Sequence, residues 1–398
     1  MINAVKEKSE AYFEDTVQFL RDIVAIPSFS GEERAVIERT KTEMEKLGYD
    51  EVIVDSLGNC LGRIGSGKRA IAFDGHVDTV GVGNKDLWSV DPFRGTFTEG
   101  RIYGRGSCDQ KGGLASAVYA GRIIKDIGVP DDVSVWVAAT VLEEEFEGLN
   151  WKYIIEEDKI RPDAVILTEP SDLKIKIGHK GRIDLKIRVE GVSCHGSTPD
   201  LGDNAIYKIT PIITDIEQLH KNLPENESFG KGSIAVTDIR STSPAINAIA
   251  DSSEIVLDRR LIPGETLESV IKELESLPSF QKAGAKVILP EFEVKSYTGL
   301  EYRAKPYYAT WIMENNHPLV ENALMTYKEI FLEQAETGVW NFSTDGVVTK
   351  GIFDIPTIGF GPGDDRTAHT PDEYIPAEHL KKAAEFYASL VYNWSKQR

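Results

Sequence analysis

Ile71-Ala72-Phe73-Asp74-Gly75-His76-Val77-Asp78 is an apolar run of strand type that closes at Gly75 and then presents an imidazole and a carboxylate two residues apart. On extended backbone such residues share a face, so His76 and Asp78 leave the end of one strand side by side. A metal-ligating histidine has its second ring nitrogen held by a carboxylate or a carbonyl, and His-x-Asp supplies either from one piece of backbone. By itself the pair is more often an ordinary surface histidine at a strand end. Its meaning depends on whether further ligand-type residues arrive at strand ends elsewhere.

Working outward, residues 133–141 are almost wholly apolar and β-branched, as expected of a strand buried on both faces, and they run straight into Glu143-Glu144-Glu145. A second such strand, 164–168, runs into Glu169. Further strands are expected at 51–55, 59–63 and 70–74. Val5, Phe13, Val17, Leu20 and Val24 recur near helical spacing and predict one helix over 3–25, ended by Pro27. Ser30-Gly31-Glu32-Glu33 has the form of a capping box for a helix that stops at Gly48. Pro92 with several Gly and aromatic residues makes 85–105 a loop or short hairpin. Gly112-Gly113 leads into a small-residue helix, 114–126, suited to close packing on a sheet, and another helix is expected at 149–157. Strands alternating with helices indicate an α/β layer fold with a mostly parallel sheet.

Beyond His179 the pattern changes. Ile183-Asp184-Leu185-Lys186-Ile187-Arg188-Val189 alternates apolar and charged residues, which marks a strand with one wet face. Helices at 203–221 and 266–277 and strands at 233–239, 254–260 and 285–294 complete a small α+β unit. The earlier character returns with a helix at 317–335, a strand at 356–360 and a last helix from Ala377. The expected organisation is therefore a discontinuous α/β domain, residues 1–179 and 295–398, with an α+β domain inserted at 180–294. A chain of 398 residues exceeds the size at which a single core stops growing, which agrees with two domains.

Lys and Arg total 45 against 64 Asp and Glu, a net charge of −19, and no basic run offers a nucleic-acid footprint. No apolar run approaches the roughly 20 residues of a membrane helix, and the N-terminal residues lack an apolar signal core. The chain is read as a cytoplasmic protein acting on a small molecule, without nucleic-acid or membrane partners. Cys60, Cys108 and Cys194 are too few and too scattered for a disulfide framework or a cysteine-type zinc site. Any metal here must use His, Asp and Glu.

Open parallel sheets bind ligands beyond the carboxyl ends of their strands, and three expected strands end in His76 with Asp78, in Glu143 to Glu145, and in Glu169. Two loops add Asp109, within Gly104-Arg105-Gly106-Ser107-Cys108-Asp109-Gln110-Lys111-Gly112-Gly113, and His369, within Gly361-Pro362-Gly363-Asp364-Asp365-Arg366-Thr367-Ala368-His369-Thr370-Pro371. Such nitrogen and oxygen donors suit zinc and other divalent first-row metals, cobalt and manganese included. Two metals about 3.5–4 Å apart need a bridging group, which a carboxylate such as Asp109 can provide. A Glu triplet alone is more often a solvated acidic face; the conjunction of clusters at one sheet edge favours a site.

These motifs, together with Thr168-Glu169-Pro170 and Ala368-His369-Thr370-Pro371-Asp372-Glu373, resemble the M20 family of metallopeptidases in content and order over residues 75–374. That family holds aminoacylases, acetylornithine deacetylases, succinyl-diaminopimelate desuccinylases and carboxypeptidases. The resemblance implies a zinc-exopeptidase-like catalytic domain with an inserted lid and dimerisation domain. It implies two Zn2+ per subunit bridged by Asp109 and a water, with His76 and Glu169 on one ion and Glu144 and His369 on the other. Asp78 would orient His76 and Glu143 would be the general base. Gly191-Val192-Ser193-Cys194-His195-Gly196-Ser197-Thr198-Pro199 resembles the family's lid histidine segment, which implies that His195 reaches a partner subunit's site in a homodimer and stabilises an oxyanion. Asn247 and Arg260 stand where the family places substrate-contacting residues. Arg260 suits a substrate carboxylate, and an ion pair with Asp258 is its competing role. The family often has Asp where Leu142 stands, so the acidic pair reads as Glu143-Glu144 or, one residue on, Glu144-Glu145. The first register is preferred. Ala250 replaces a frequent Pro.

The expected activity is hydrolysis of an amide bond in a dipeptide or an N-acyl or N-carbamoyl amino acid. A cysteine hydrolase using Cys194 and His195 competes weakly, because adjacent strand residues point to opposite faces. The other alternative is an inactive metal-binding dimerisation module, which predicts loss of a ligand or of the base, and none is lost from the sequence.

Overall fold

The computed structural model describes residues 1–396. Its larger sheet contains nine strands among the described residues. Four central strands, in spatial order Val133–Thr140, Arg69–His76, Ala164–Leu167 and Thr357–Gly359, are parallel. They are the β-branched, nearly uninterrupted apolar runs, and every residue of Ala164–Leu167 and Thr357–Gly359 is buried, as a sheet covered on both faces requires. Cys60–Ile64 and Glu51–Val54 extend one side antiparallel, and Ile175–His179 with Trp311–Ile312 extends the other.

Helices flank this sheet. Ala377–Ser395 packs on Gly112–Ile127 and on Pro318–Phe331. Gly112–Ile127 comes as close as its small residues allow: a Cβ on Gly113 would stand 2.2 Å from the main-chain oxygen of Thr168. The second sheet, Ser233–Thr242, Ser252–Leu261, Gly181–Glu190 and Lys286–Ile288 with Tyr307–Tyr308, is antiparallel. One face carries Ile183, Leu185, Ile187 and Val189 into a separate core against Ile209, Ile212 and Ile216 of the helix Ala205–Asn222. Asn204 caps that helix by accepting the Ile206 N–H. No helix among the described residues is long and apolar enough to cross a membrane.

Three local expectations are corrected. The helix over 3–25 is two helices, Ile2–Ala11 and Phe13–Val24, separated at Tyr12, whose φ of −98° and ψ of 4° leave the helical region and whose hydroxyl donates to Asp126 at 2.6 Å. The capping box does not form. The helix runs Arg34–Lys46, the Ser30 hydroxyl donates to Asp78 at 2.7 Å, and Glu33 is buried, accepting the N–H groups of Gly31 and Leu142. The strand at 285–294 divides: Lys286–Ile288 stays in the second sheet, whereas Phe292–Lys295 pairs with Glu301–Ala304 and buries Val294 in the main core. The segment 85–105 does contain a hairpin, Thr96–Thr98 with Arg101–Tyr103, which Tyr374–Pro376 joins as a third strand.

Candidate functional site

Register places the site. His76 stands opposite Thr140 and Asp74 opposite Leu167, so the Arg69–His76, Val133–Thr140 and Ala164–Leu167 strands end level with one another. Glu143 and Glu144 follow the second strand closely and Glu169 the third. The loop after Thr357–Gly359, level with Leu167, carries His369 over the same edge. Asp109 arrives from the turn before the helix Gly112–Ile127, where its φ of −113° and ψ of 100° break the helical path and its peptide to Gln110 is cis.

The ring of His76 is buried and donates through Nδ1 to the main-chain oxygen of Asp78 at 2.9 Å, leaving Nε2 for the carboxylates. Asp109 Oδ1 lies 3.1 Å from that Nε2, and its other oxygen lies 3.3 Å from His369 Nε2. Glu143 and Glu169 approach His76 Nε2 at 3.7 and 3.9 Å. Glu144 Oε2 is 3.1 Å from His369, while its Oε1 accepts the Val80 N–H. Glu145 is exposed and turned to solvent, so the pair at the histidines is Glu143 and Glu144. The Asp78 carboxylate stands 3.6 Å from the imidazole Nδ1, and it accepts the main-chain N–H groups of Glu143 and Glu144, each at 3.1 Å, and the Ser30 hydroxyl. Leu142 takes a left-handed backbone with φ of 64° just before that turn.

Four carboxylates against two imidazoles leave an excess of negative charge in a buried place. Burial, joined by the neighbouring acids, pushes the carboxyls of Glu143 and Glu169 well up. Burial acts the same way on Asp109, yet hydrogen bonds from His369 and His76 hold it below the usual carboxylate range. Burial works against a charged His76, but Glu143, Asp109 and Glu169 raise it well above an ordinary histidine. Hydrogen bonds to Asp109 and Glu144 push His369 up to about 10. The donor atoms of His76, Glu143 and Glu169 lie within 4.8 Å of one another, as do those of His76, Asp109 and Glu144. Donor type, convergence and uncompensated charge all fit divalent cations.

A cavity of about 350 Å³ opens at the cluster, lined by Asp109, Glu143, Glu144, Glu169 and His369 and also by Arg182 and Arg260. Those two arginines stand directly opposite across adjacent strands. Arg260 pairs with Asp258 through two bonds of 2.9 and 3.0 Å, and Arg182 with Asp184 at 2.8 Å and Glu147 at 3.3 Å. Burial, together with the Arg182 charge and a Ser343 hydrogen bond that oppose it, leaves Glu147 up at about 7. Arg182, Glu147 and Ser343 were not anticipated. Arg182 had a legible signal, lying on the wet face of an alternating strand immediately after the chain enters the second sheet.

His195 and Asn247 do not line this cavity. They sit together on the exposed end of the insert, with Asn247 Nδ2 3.5 Å from His195 Nε2 and His195 Nδ1 bonded to the Ser197 hydroxyl at 2.7 Å. The Cys194 thiol points to the main-chain oxygen of Thr198 at 3.2 Å, and no hydrogen bond joins it to the His195 ring.

The model of peptidase family M20/M25/M40 matches residues 72–393. The uncharacterized protein YgeY of Escherichia coli (strain K12) is 46% identical over 390 residues, spanning 98% of this chain and 97% of that one. Among solved structures, aminopeptidase PepT from Bacillus cereus superposes with a TM-score of 0.74 at 20% identity, over 96% of this chain and 99% of that one. The YXEP protein of Bacillus subtilis, described as a dinuclear metal binding peptidase from the M20 family, does so with a TM-score of 0.71 at 14% identity, over 96% and 98%.

Proposed function

This chain belongs to peptidase family M20/M25/M40 and is a hydrolytic enzyme, and from that premise we propose that it cleaves an amide bond of a small substrate at a dinuclear metal centre. The substrate class is a dipeptide or an N-acyl or N-carbamoyl amino acid. The observation that carries the reading is Asp109, whose two carboxylate oxygens address two different histidines at 3.1 and 3.3 Å. His76 and Glu169 would hold one ion, Glu144 and His369 the other, and Asp109 would join them. Zinc fits this donor set, as do cobalt and manganese. When bound, such ions supply Lewis acidity toward the scissile carbonyl and acidify a water.

Glu143 is the acid of the pair left beside that work. Its main chain is anchored by Asp78 and its carboxyl is raised by burial, so it is suited to take a proton from water and return it to the leaving nitrogen. Arg182 and Arg260 line the same cavity as the cluster and offer guanidinium groups to a substrate carboxylate.

His195 and Asn247 act, in this reading, from the second copy of a homodimer, His195 donating to the tetrahedral oxyanion. The insert supports it by exposing Leu201, Tyr207, Ile239 and Ile246, and by ending its sheet on the Ser233–Thr242 strand, which pairs on one side only.

The test is to strip the protein of metal, reload it with zinc or manganese, and assay dipeptides and N-acyl and N-carbamoyl amino acids. Hydrolysis that vanishes with chelation and returns with metal, unaffected by thiol alkylation, supports the reading. Turnover that survives chelation would overturn it.

A further inference from the structure

We propose that Glu373 is a positioning residue, which holds the Asp109 turn in the one arrangement that lets both Asp109 oxygens reach the two histidines. The proposal rests on the reading of Asp109 as a bridge.

Glu373 has no exposed surface, and it belongs neither to the metal cluster nor to the cavity above it. A buried carboxylate is costly unless it is paired and hydrogen-bonded, and the partners of this one all lie in a single turn. Oε1 accepts the main-chain N–H groups of Cys108 at 2.9 Å and Asp109 at 3.1 Å. Oε2 accepts from the Arg105 guanidinium at 2.5 Å. The main-chain oxygen of Glu373 accepts the Gly104 N–H at 2.9 Å. Arg105 is itself buried and stacked 5.3 Å from the centre of the Trp88 ring.

The backbone explains the need. Asp109 stands in the first turn after Gly106, where N–H groups have no carbonyl one turn earlier, and such an N–H needs another acceptor. Glu373 supplies the acceptor. His369 lies four residues before it, in a left-handed backbone with φ of 59°. One short segment therefore delivers an imidazole to the Asp109 carboxylate and a carboxylate to the Asp109 main chain. Asp109 is gripped at both ends, and a shift of the turn would move its two oxygens away from both rings together.

The test uses the full chain, stripped of metal and titrated with Co2+ by calorimetry, with visible absorption recorded alongside. Glu373→Gln keeps an oxygen for the amides but sets an amide NH2 against Arg105. It is expected to bind Co2+ about 10–100-fold more weakly and to change the visible spectrum. Pairing it with Arg105→Gln restores a matched donor and acceptor and is expected to recover most of that affinity. Glu373→Asp keeps the charge for Arg105 but withdraws the oxygen by one methylene, and it decides the matter where Glu373→Gln does not fold. Wild-type affinity and spectrum in the folded single variants would overturn the proposal. Stoichiometry separates it from the dinuclear reading. A wild type that binds a single ion defeats that reading, whereas loss of that ion in the Glu373 variants still supports the positioning role and unchanged affinity still defeats it.

Discussion

Asp78 Oδ1 accepts the main-chain N–H of Glu143 at 3.1 Å, tying the end of the strand that carries His76 to the turn that carries the proposed base. With the Glu144 N–H and the Ser30 hydroxyl on Oδ2, one buried carboxylate satisfies three donors. Asp78→Ala leaves them unpaired. A stability loss of about 1–3 kcal/mol and a fall in kcat/KM of about 10–100-fold are expected, measured by denaturant unfolding and steady-state kinetics. Wild-type kinetics would show that the Glu143 turn holds its place unaided.

Glu143→Gln and Glu144→Gln separate base from ligand. The first is expected to keep its metal content, measured by plasma mass spectrometry, while kcat falls by about 10²–10⁴-fold. The second is expected to lose metal. Full turnover by Glu143→Gln would remove the base from the mechanism.

Arg182→Met takes a guanidinium from the cavity wall and leaves the metal residues untouched. For substrates with a free carboxylate, KM is expected to rise about tenfold or more with kcat little changed, the pattern of lost uniform binding. A proportionate loss in kcat alone would place Arg182 in the chemistry instead.

His179 is buried, takes the Thr344 N–H on Nδ1 at 2.9 Å and donates through Nε2 to the Ala309 oxygen at 3.1 Å. Burial drives it down to about 3. From its ordinary value near 6.5 down to about 3, the unfolded chain binds the proton and the folded chain does not, so this group withdraws stability as pH falls through that window. His179→Gln can keep both bonds without titrating. Its stability relative to wild type is expected to improve by about 2 kcal/mol between pH 7 and pH 5, read from denaturant unfolding at the two values. A difference independent of pH would show that His179 titrates normally.

Gly113→Ala tests the close approach of helix and sheet beneath Asp109. The new Cβ would meet the Thr168 oxygen at 2.2 Å, so the backbone must move. A destabilisation of about 1–3 kcal/mol or more with weakened metal binding is expected, measured by thermal unfolding and calorimetry.

The central strands were legible because burial on both faces demands uninterrupted β-branched residues, which a run such as 133–141 displays. The residues at their ends were legible as candidates for the same reason: an acid or imidazole directly after such a run has the sheet edge as its place. Less legible was any side chain whose partner is remote. Ser30 and Glu33 look like a helix cap, but Asp78 and the Leu142 amide bind them instead. Ile175–His179 is short and ends in a histidine, so nothing local marks it as a strand of the main sheet. Tyr12 interrupts a helical pattern because of a contact more than a hundred residues away.

By itself the sequence determined the α/β layer, the antiparallel insert and the residues able to bind metal, since periodicity and residue chemistry are local properties. Only the tertiary structure decided the pairing: that both Asp109 oxygens face imidazoles, that Glu145 is outside, that Asp78 grips a turn with its side chain and a ring with its main chain, that Arg182 lines the cavity, and that Glu373 accepts the Asp109 N–H. Those relations depend on strand register and on which buried donor meets which buried acceptor, and both are set by contacts between segments up to 264 residues apart.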